Sequence, residues 1–491
     1  MAALLVMLLP SFAEGEEPSE KSNSRPIVLR PAQMAALKRV EADGATINEI
    51  SRSLWNLAEP ALAEKKSSEL LIATLKAHGF TVETNVAGMP TAFIATYGSG
   101  KPVVGILAEY DALPGMSQKV SSQQEPVAEG AAGHACGHSG LGAAAVGAAI
   151  AARTAMEQHR LPGTLKLFGT PAEETVVGKV YMALSGSFND LDACLHWHPS
   201  DRNDVWAGSS KALISAEFHF RGTSAHASSN PDKGLSALDA VELMSVGVNF
   251  YREHVKEDAR IHYVISNGGD VPNVVPAKAS AWYFIRANSH EDADRYFERV
   301  HEIAQGAALM TRTKLKVEFQ TDCHELIPNA PLSEVMQQSM QAVSPPKFSK
   351  DEKIFATKLQ QSLIEQFGVH PNEPLDESLR ALADAGYASN GSTDVGDVSW
   401  IVPTGGFRAT CFAAESPGHS WQNVAAIGST IGDKGTHYAA KVLAVSAIEL
   451  LENPGRIAAA KEDWKTRMKD RKYTTRIPAG QKPRATKQAP Q

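Results

Sequence analysis

The chain has 491 residues, more than one ordinary core accommodates, so two folded domains are expected. With 43% hydrophobic and 21% charged residues, the composition is that of a water-soluble globular protein, and a net charge of -7 excludes the basic footprint of a nucleic-acid binder. Cys136, Cys194, Cys323 and Cys411 are scattered without a CxxC pair, which argues against a disulfide scaffold.

Read in chain order, residues 2–10 (AALLVMLLP) form a short apolar run followed by Ser-Phe-Ala-Glu. That pattern reads as the core of a secretory signal peptide cleaved near Ala13, although the usual basic residues before it are missing. The run is too short to span a bilayer. A periplasmic or secreted protein is expected, with a frayed cytoplasmic N-terminus as the alternative. Residues 1–30 are taken as signal peptide and disordered leader. The first segment of a catalytic domain is placed at 31–207. A helix is expected at 67–79, and strands at 91–98 and 103–111, the second buried on both faces. Residues 139–156, rich in Ala and Gly, suit a helix packed closely on a sheet. Further buried strands are expected at 163–170 and 191–198. Strands alternating with helices predict an α/β fold, a mixed sheet flanked by helices.

The pattern changes at 208–322. Strands of alternating polarity at 211–221, 260–266 and 277–286, with helices at 235–252 and 290–309, predict an inserted smaller α+β sandwich domain. The second segment of the catalytic domain, 323–460, returns to the α/β pattern with a helix at 331–342, a strand at 408–414 and a helix at 434–452. The segment 461–491 is basic, poor in apolar residues after Tyr473, and expected to be a mobile tail.

Several motifs carry chemistry. His134-Ala-Cys136-Gly-His138 places a thiol and an imidazole two residues apart before a helix, and Gly137 allows both to face one point. Alone, this is equally a buried thiol beside ordinary histidines. Glu173 and Glu174 follow a strand, where one carboxylate can bind metal and the other take a proton. Alone, they suit a helix N-terminus better than a metal site. His196 and His198 lie on one side of a strand, and either could be a ligand. His419 follows a later strand. Together these residues place His, Cys and Glu at the ends of several buried strands of one sheet, which packing alone does not explain. Two metals can hold a water and a scissile carbonyl, and a Cys136 thiolate could bridge them.

At this point the sequence resembles the M20 peptidases. YDALP (110–114), HACGHSGLGAA (134–144), PAEE (171–174), the strand-end His198, TSAHAS (223–228) and His419 carry the resemblance, in the subgroup where Cys-Gly-His replaces a bridging Asp. It runs from about residue 45 to 450. The resemblance implies two divalent metal ions per subunit, zinc or manganese, with Cys136 bridging and His138, Glu174, His198 and His419 as the other ligands. It implies Glu173 as general base and Asp111 as the acid orienting a ligating histidine. His226 is implied to reach a partner's active site across a dimer and polarise the substrate carbonyl. Asn273 and Arg286 are implied to grip the substrate's carbonyl or carboxylate. The implied reaction is hydrolysis of the amide bond between an acyl group, aromatic by preference, and an amino acid, as in p-aminobenzoyl-glutamate. Other N-acyl amino acids, auxin-type conjugates and dipeptides are alternative substrates. The implied assembly is a homodimer or a hetero-oligomer with a paralogous subunit, and no nucleic-acid or membrane partner is expected.

Two positions depart from the family pattern, Ser139 where Asp is common and Thr175 where Gly is common. His254 and His262 read as surface or interface histidines rather than ligands. Asp394 and Asp397 lie in a Ser/Gly-rich loop that suits either site support or turn chemistry. Trp197 and Trp421 suit either a substrate pocket or core packing. Two rival readings are an inactive binding subunit and a single-metal enzyme with Cys136 as covalent nucleophile.

Overall fold

The computed structural model describes residues 27–368, 370–382 and 389–484, and the segment read as a signal peptide, with cleavage expected near Ala13, lies outside them. The strands are β1 (Thr81–Thr84), β2 (Phe93–Ser99), β3 (Val103–Ala108), β4 (Gly163–Gly169), β5 (Ala193–Ser200), β6 (Asp204–Val205), β7 (Ala212–Arg221), β8 (Arg260–Asn267), β9 (Lys278–Ala287), β10 (Lys314–Cys323) and β11 (Thr404–Thr410). Seven of them form one sheet in the order β1-β2-β4-β3-β5-β11-β6. Its centre, β4-β3-β5-β11, is parallel, and the flanking pairs are antiparallel.

The parallel centre follows from burial. In β3 all six residues are buried, with Val104 and Ile106 facing one core and Val103 and Leu107 the other. The first core is closed by the helices Pro31–Ala42, Gly44–Leu57, His138–His159 and Thr430–Glu452. The Ala-rich helix His138–His159 is long and apolar enough to cross a membrane, yet 89% of its apolar window is buried inside the protein. Parallel strands present their carboxyl ends at one edge of the sheet, where α/β proteins bind ligands. The residues just beyond β3, β4 and β11, and the last turns of β5, therefore share one rim.

The second sheet is antiparallel, in the order β10-β7-β9-β8. The helices Ala237–Tyr251 and His290–Thr311 share its apolar core with Phe218, Tyr283 and Phe297. This is the inserted α+β unit, and β10 closes it.

Some expectations shift. The strand expected at 408–414 is β11, four residues earlier. Its Thr-Gly-Gly start reads as a turn, but Gly406 is there because His196 packs over it. A Cβ added at Gly406 would lie 2.1 Å from His196 Nε2. Gly406→Ala therefore displaces a buried ring and costs about 2 kcal/mol or more. Thermal unfolding checks this, and an unchanged Tm would show that the ring has room. Helices at Pro31–Leu57 and at Lys350–Phe367 were not anticipated.

The basic segment from Lys461 is not a mobile extension as far as Arg484. Lys461 to Met468 completes the helix Pro454–Met468. Tyr473 Oη donates to Asp397 Oδ1 at 2.8 Å. Arg476 pairs with Asp294 and, at 2.6 Å, with Glu298, and Arg484 pairs with Glu318. The physical reason is charge: acids of the helix His290–Thr311 and of β10 take up the tail's arginines. Residues 485–491 lie outside the described residues.

Candidate metal centre

Gly137, at φ 82°, turns the chain between Cys136 and the helix that His138 opens. That left-handed turn lets both side chains enter one pocket. Cys136 Sγ lies 3.3 Å from His198 Nε2. The His198 Nδ1–H donates to the Pro199 carbonyl at 2.7 Å, so Nε2 offers its lone pair toward the sulfur. His138 Nδ1–H donates to Asp111 Oδ1 at 3.1 Å, and its Nε2 is buried without a partner. Asp111 Oδ2 accepts the Glu174 backbone N–H at 2.9 Å, tying the rim beyond β3 to the rim beyond β4. Glu174 Oε2 lies 3.2 Å from His419 Nε2, and His419 is held at φ 58°.

The five proposed ligands thus converge. Two groups of three share the thiol: Cys136, His138 and His198 form one, and Cys136, Glu174 and His419 the other. Within each group the ligand atoms lie within 4.8 Å of one another, so each could hold a metal ion. Glu173 faces the same pocket, its Oε2 3.8 Å from His138 Nε2.

The electrostatics fit a cation site. Burial alone would push the Cys136 thiol up, but His198 and His138 outweigh it and hold it well below its ordinary value. Burial and then Cys136 raise Glu174 to about 7. Hydrogen bonds to Cys136 and Glu174 raise His419 to about 10. Burial, then Glu109 and Asp394, push Glu173 well above the usual carboxylate range. Thiolate, imidazole and carboxylate together are the donor set of a divalent transition metal.

His198, not His196, meets Cys136. His196 packs against Trp206 with ring centroids 5.4 Å apart, and burial lowers it to about 3, so it is a neutral core group. Trp197 is core too, its Nε1–H donating to the Leu141 carbonyl. Ser139 Oγ is buried without a partner, and the hydrogen bonds of His138 go to Asp111 instead. Arg286 donates to Ser392 Oγ at 2.7 Å, with Glu173 close enough to act on its charge. His226 and Asn273 are exposed on loops of the inserted unit. Among the described residues no hydrogen bond or ion pair joins either to this pocket. His254 and His262 are exposed.

Three charged residues escaped sequence reasoning. Glu109 lies two residues before Asp111, with Oε2 3.3 Å from His138 Nε2. Burial acts to raise its carboxyl, and Lys179 and His138 outweigh it, holding it at about 2. Lys179 is wholly buried and pairs with Glu109 at 2.8 Å and Asp394 at 2.5 Å. Glu64 accepts the Ala172 backbone N–H at 2.9 Å, just before Glu173. A lone lysine within the apolar run VVGKVYMAL was the available signal for Lys179.

Paired donor groups around one thiol, with the Glu173 carboxylate beside them, on the carboxyl rim of an α/β sheet, are the arrangement of a metal-dependent hydrolase. The chain belongs to peptidase family M20/M25/M40, which matches residues 105–416. It is 37% identical over 461 residues to the B subunit of p-aminobenzoyl-glutamate hydrolase from Escherichia coli (strain K12), covering 89% of this chain and 96% of that protein. It is 26% identical to the Xaa-Arg dipeptidase of Mus musculus, over 93% of this chain and 97% of that one. Its fold matches a dinuclear metal binding peptidase from the M20 family of Bacillus subtilis at a TM-score of 0.54 and 16% identity, covering 84% and 99% of the two chains.

Proposed function

We propose that this protein hydrolyses the amide bond between an aromatic acyl group and an amino acid, with p-aminobenzoyl-glutamate as the first candidate substrate. The observation that carries the reading is the pair of donor groups sharing Cys136, with Glu173 beside them. The activity in the name of the Escherichia coli relative supports the substrate. Two divalent ions, zinc or manganese, would be held by Cys136, His138 and His198 and by Cys136, Glu174 and His419, and when bound they acidify water and polarise a carbonyl oxygen. Glu173 takes the proton of the attacking water and passes it to the leaving amine. Among protein charges alone Glu173 is held high, and a dication bound beside it would lower it again. Arg286 suits the carboxylate of the amino-acid half.

His226 Nδ1 accepts the backbone N–H of Ser229 at 3.2 Å, so its Nε2 carries the proton and can donate to a substrate carbonyl. Its exposed position, away from its own pocket, supports delivery to a partner's pocket across a dimer, either of identical chains or with a paralogous subunit. Leu243, Val246 and Phe250 form an exposed apolar stripe on one helix of the inserted unit, Phe250 being 68% exposed. The sheet of the same unit ends in β8, an edge strand with Val264 57% and Ile265 47% exposed. Phe250→Asp is expected to shift sedimentation from dimer to monomer and to lower activity. A dimer unchanged in sedimentation would refute this interface.

Metal uptake should release protons. His138 and His198 are raised, burial opposing and Cys136 prevailing, and His419 is raised to about 10. His419 at least holds a proton at neutral pH that a metal must displace, so affinity tightens as pH rises. Titration calorimetry in buffers of different ionisation enthalpy reads the released protons, and buffer-independent heats would contradict the ligand set. The substrate is tested by screening the metal-loaded protein on N-acyl amino acids with aromatic and aliphatic acyl groups. Aromatic glutamate conjugates should turn over fastest, and cleavage of dipeptides alone would overturn the substrate class.

A further inference from the structure

We propose that Glu109 is a further metal-directed residue of this centre, a carboxylate locked in place by Lys179. The proposal rests on the metal-dependent reading above. Glu109 follows β3, and its side chain is 5% exposed. Its two oxygens have different fates. Oε1 receives the Lys179 ammonium at 2.8 Å. Oε2 is buried and has no hydrogen-bond partner. It points to His138, whose Nε2 is 3.3 Å away and is also buried without a partner.

The tautomer of His138 makes this pairing informative. Nδ1–H is committed to Asp111, so as a metal ligand the neutral ring offers a lone pair at Nε2. A lone pair and a carboxylate oxygen do not bond to each other. A proton on Nε2 would pair the two atoms in the metal-free site, and a divalent cation taking its place would be shared by both. Two ligands at about 2.1 Å in a tetrahedron stand about 3.4 Å apart, close to the separation seen. Glu109 and His138 also fall, with the proposed base Glu173 beside them, in a group whose candidate ligand atoms lie within 4.8 Å of one another.

Lys179 explains why Oε2 is free and fixed. Its wholly buried ammonium also pairs with Asp394 Oδ1 at 2.5 Å, and its backbone N–H reaches Asp394 Oδ2 at 2.8 Å. The lysine is therefore anchored at both ends, and Glu109 cannot turn its bonded oxygen away. Lys179 is a positioning residue, acting through Glu109.

The test uses the full chain stripped of metal and titrated with zinc, and in parallel with cobalt(II), whose absorption reports coordination. Glu109→Gln keeps the shape and removes the charge. Glu109→Asp keeps the charge for Lys179 and withdraws the oxygen, and it serves if the first variant fails to fold. Wild type should bind two ions. Each folded variant should bind one ion as before and the other about 10- to 100-fold more weakly. The cobalt ligand-field bands should change while the thiolate charge-transfer band of Cys136 persists. Two ions bound with wild-type affinity and spectrum in both variants would overturn the proposal, leaving Glu109 as an ion-pair partner of Lys179 only. A wild type that binds neither metal overturns the metal reading itself, a different result.

Discussion

Replacing Glu173 by Ala is expected to abolish turnover, by about 10³-fold or more, while the bound metal stays at its wild-type level. The distinction rests on geometry. Glu173 belongs to neither of the two groups that share Cys136, so neither should lose a ligand. It nevertheless faces their pocket, 3.8 Å from His138 Nε2. Glu174, its neighbour, points instead to His419. The turn between β4 and the helix Gly178–Leu184 separates the two carboxylates, helped by left-handed backbone at Ala172 and Val176. Glu174→Ala should therefore lose metal as well as activity. Elemental analysis beside steady-state kinetics distinguishes the two variants. Retained turnover in Glu173→Ala would remove the assigned base.

Cys136→Ala should have the broadest effect, because both donor groups lose the member they share. Both ions are expected to be lost on dialysis, and activity to fall to background. His419→Ala touches one group only and should spare the other ion. A covalent role for Cys136 also predicts an inactive Cys136→Ala, but with metal retained. Metal content in that variant therefore separates a bridging thiolate from a nucleophile.

The central strands were legible because burial on both faces leaves an unbroken apolar run, as in VVGILA of β3. The five candidate ligands were legible because His198 ends such a strand, Glu174 and His419 follow one, and Cys136 and His138 flank the glycine that opens a helix. β11 was misplaced because its glycines look like a turn until His196 is seen above Gly406. The helix Lys350–Phe367 carries a capping box, Ser349 with Glu352, that was present to be read. Glu109 and Lys179 were not legible, since a charge inside an apolar segment shows its meaning only when its partner is placed. The same holds for the tail, whose arginines looked solvated until Asp294, Glu298 and Glu318 stood opposite them.

The most direct test of the account is turnover of p-aminobenzoyl-glutamate by the chelator-stripped protein as zinc or manganese is added back. Activity should be absent after stripping, return with metal, and saturate at two equivalents per chain. Turnover that survives the chelator would contradict the account.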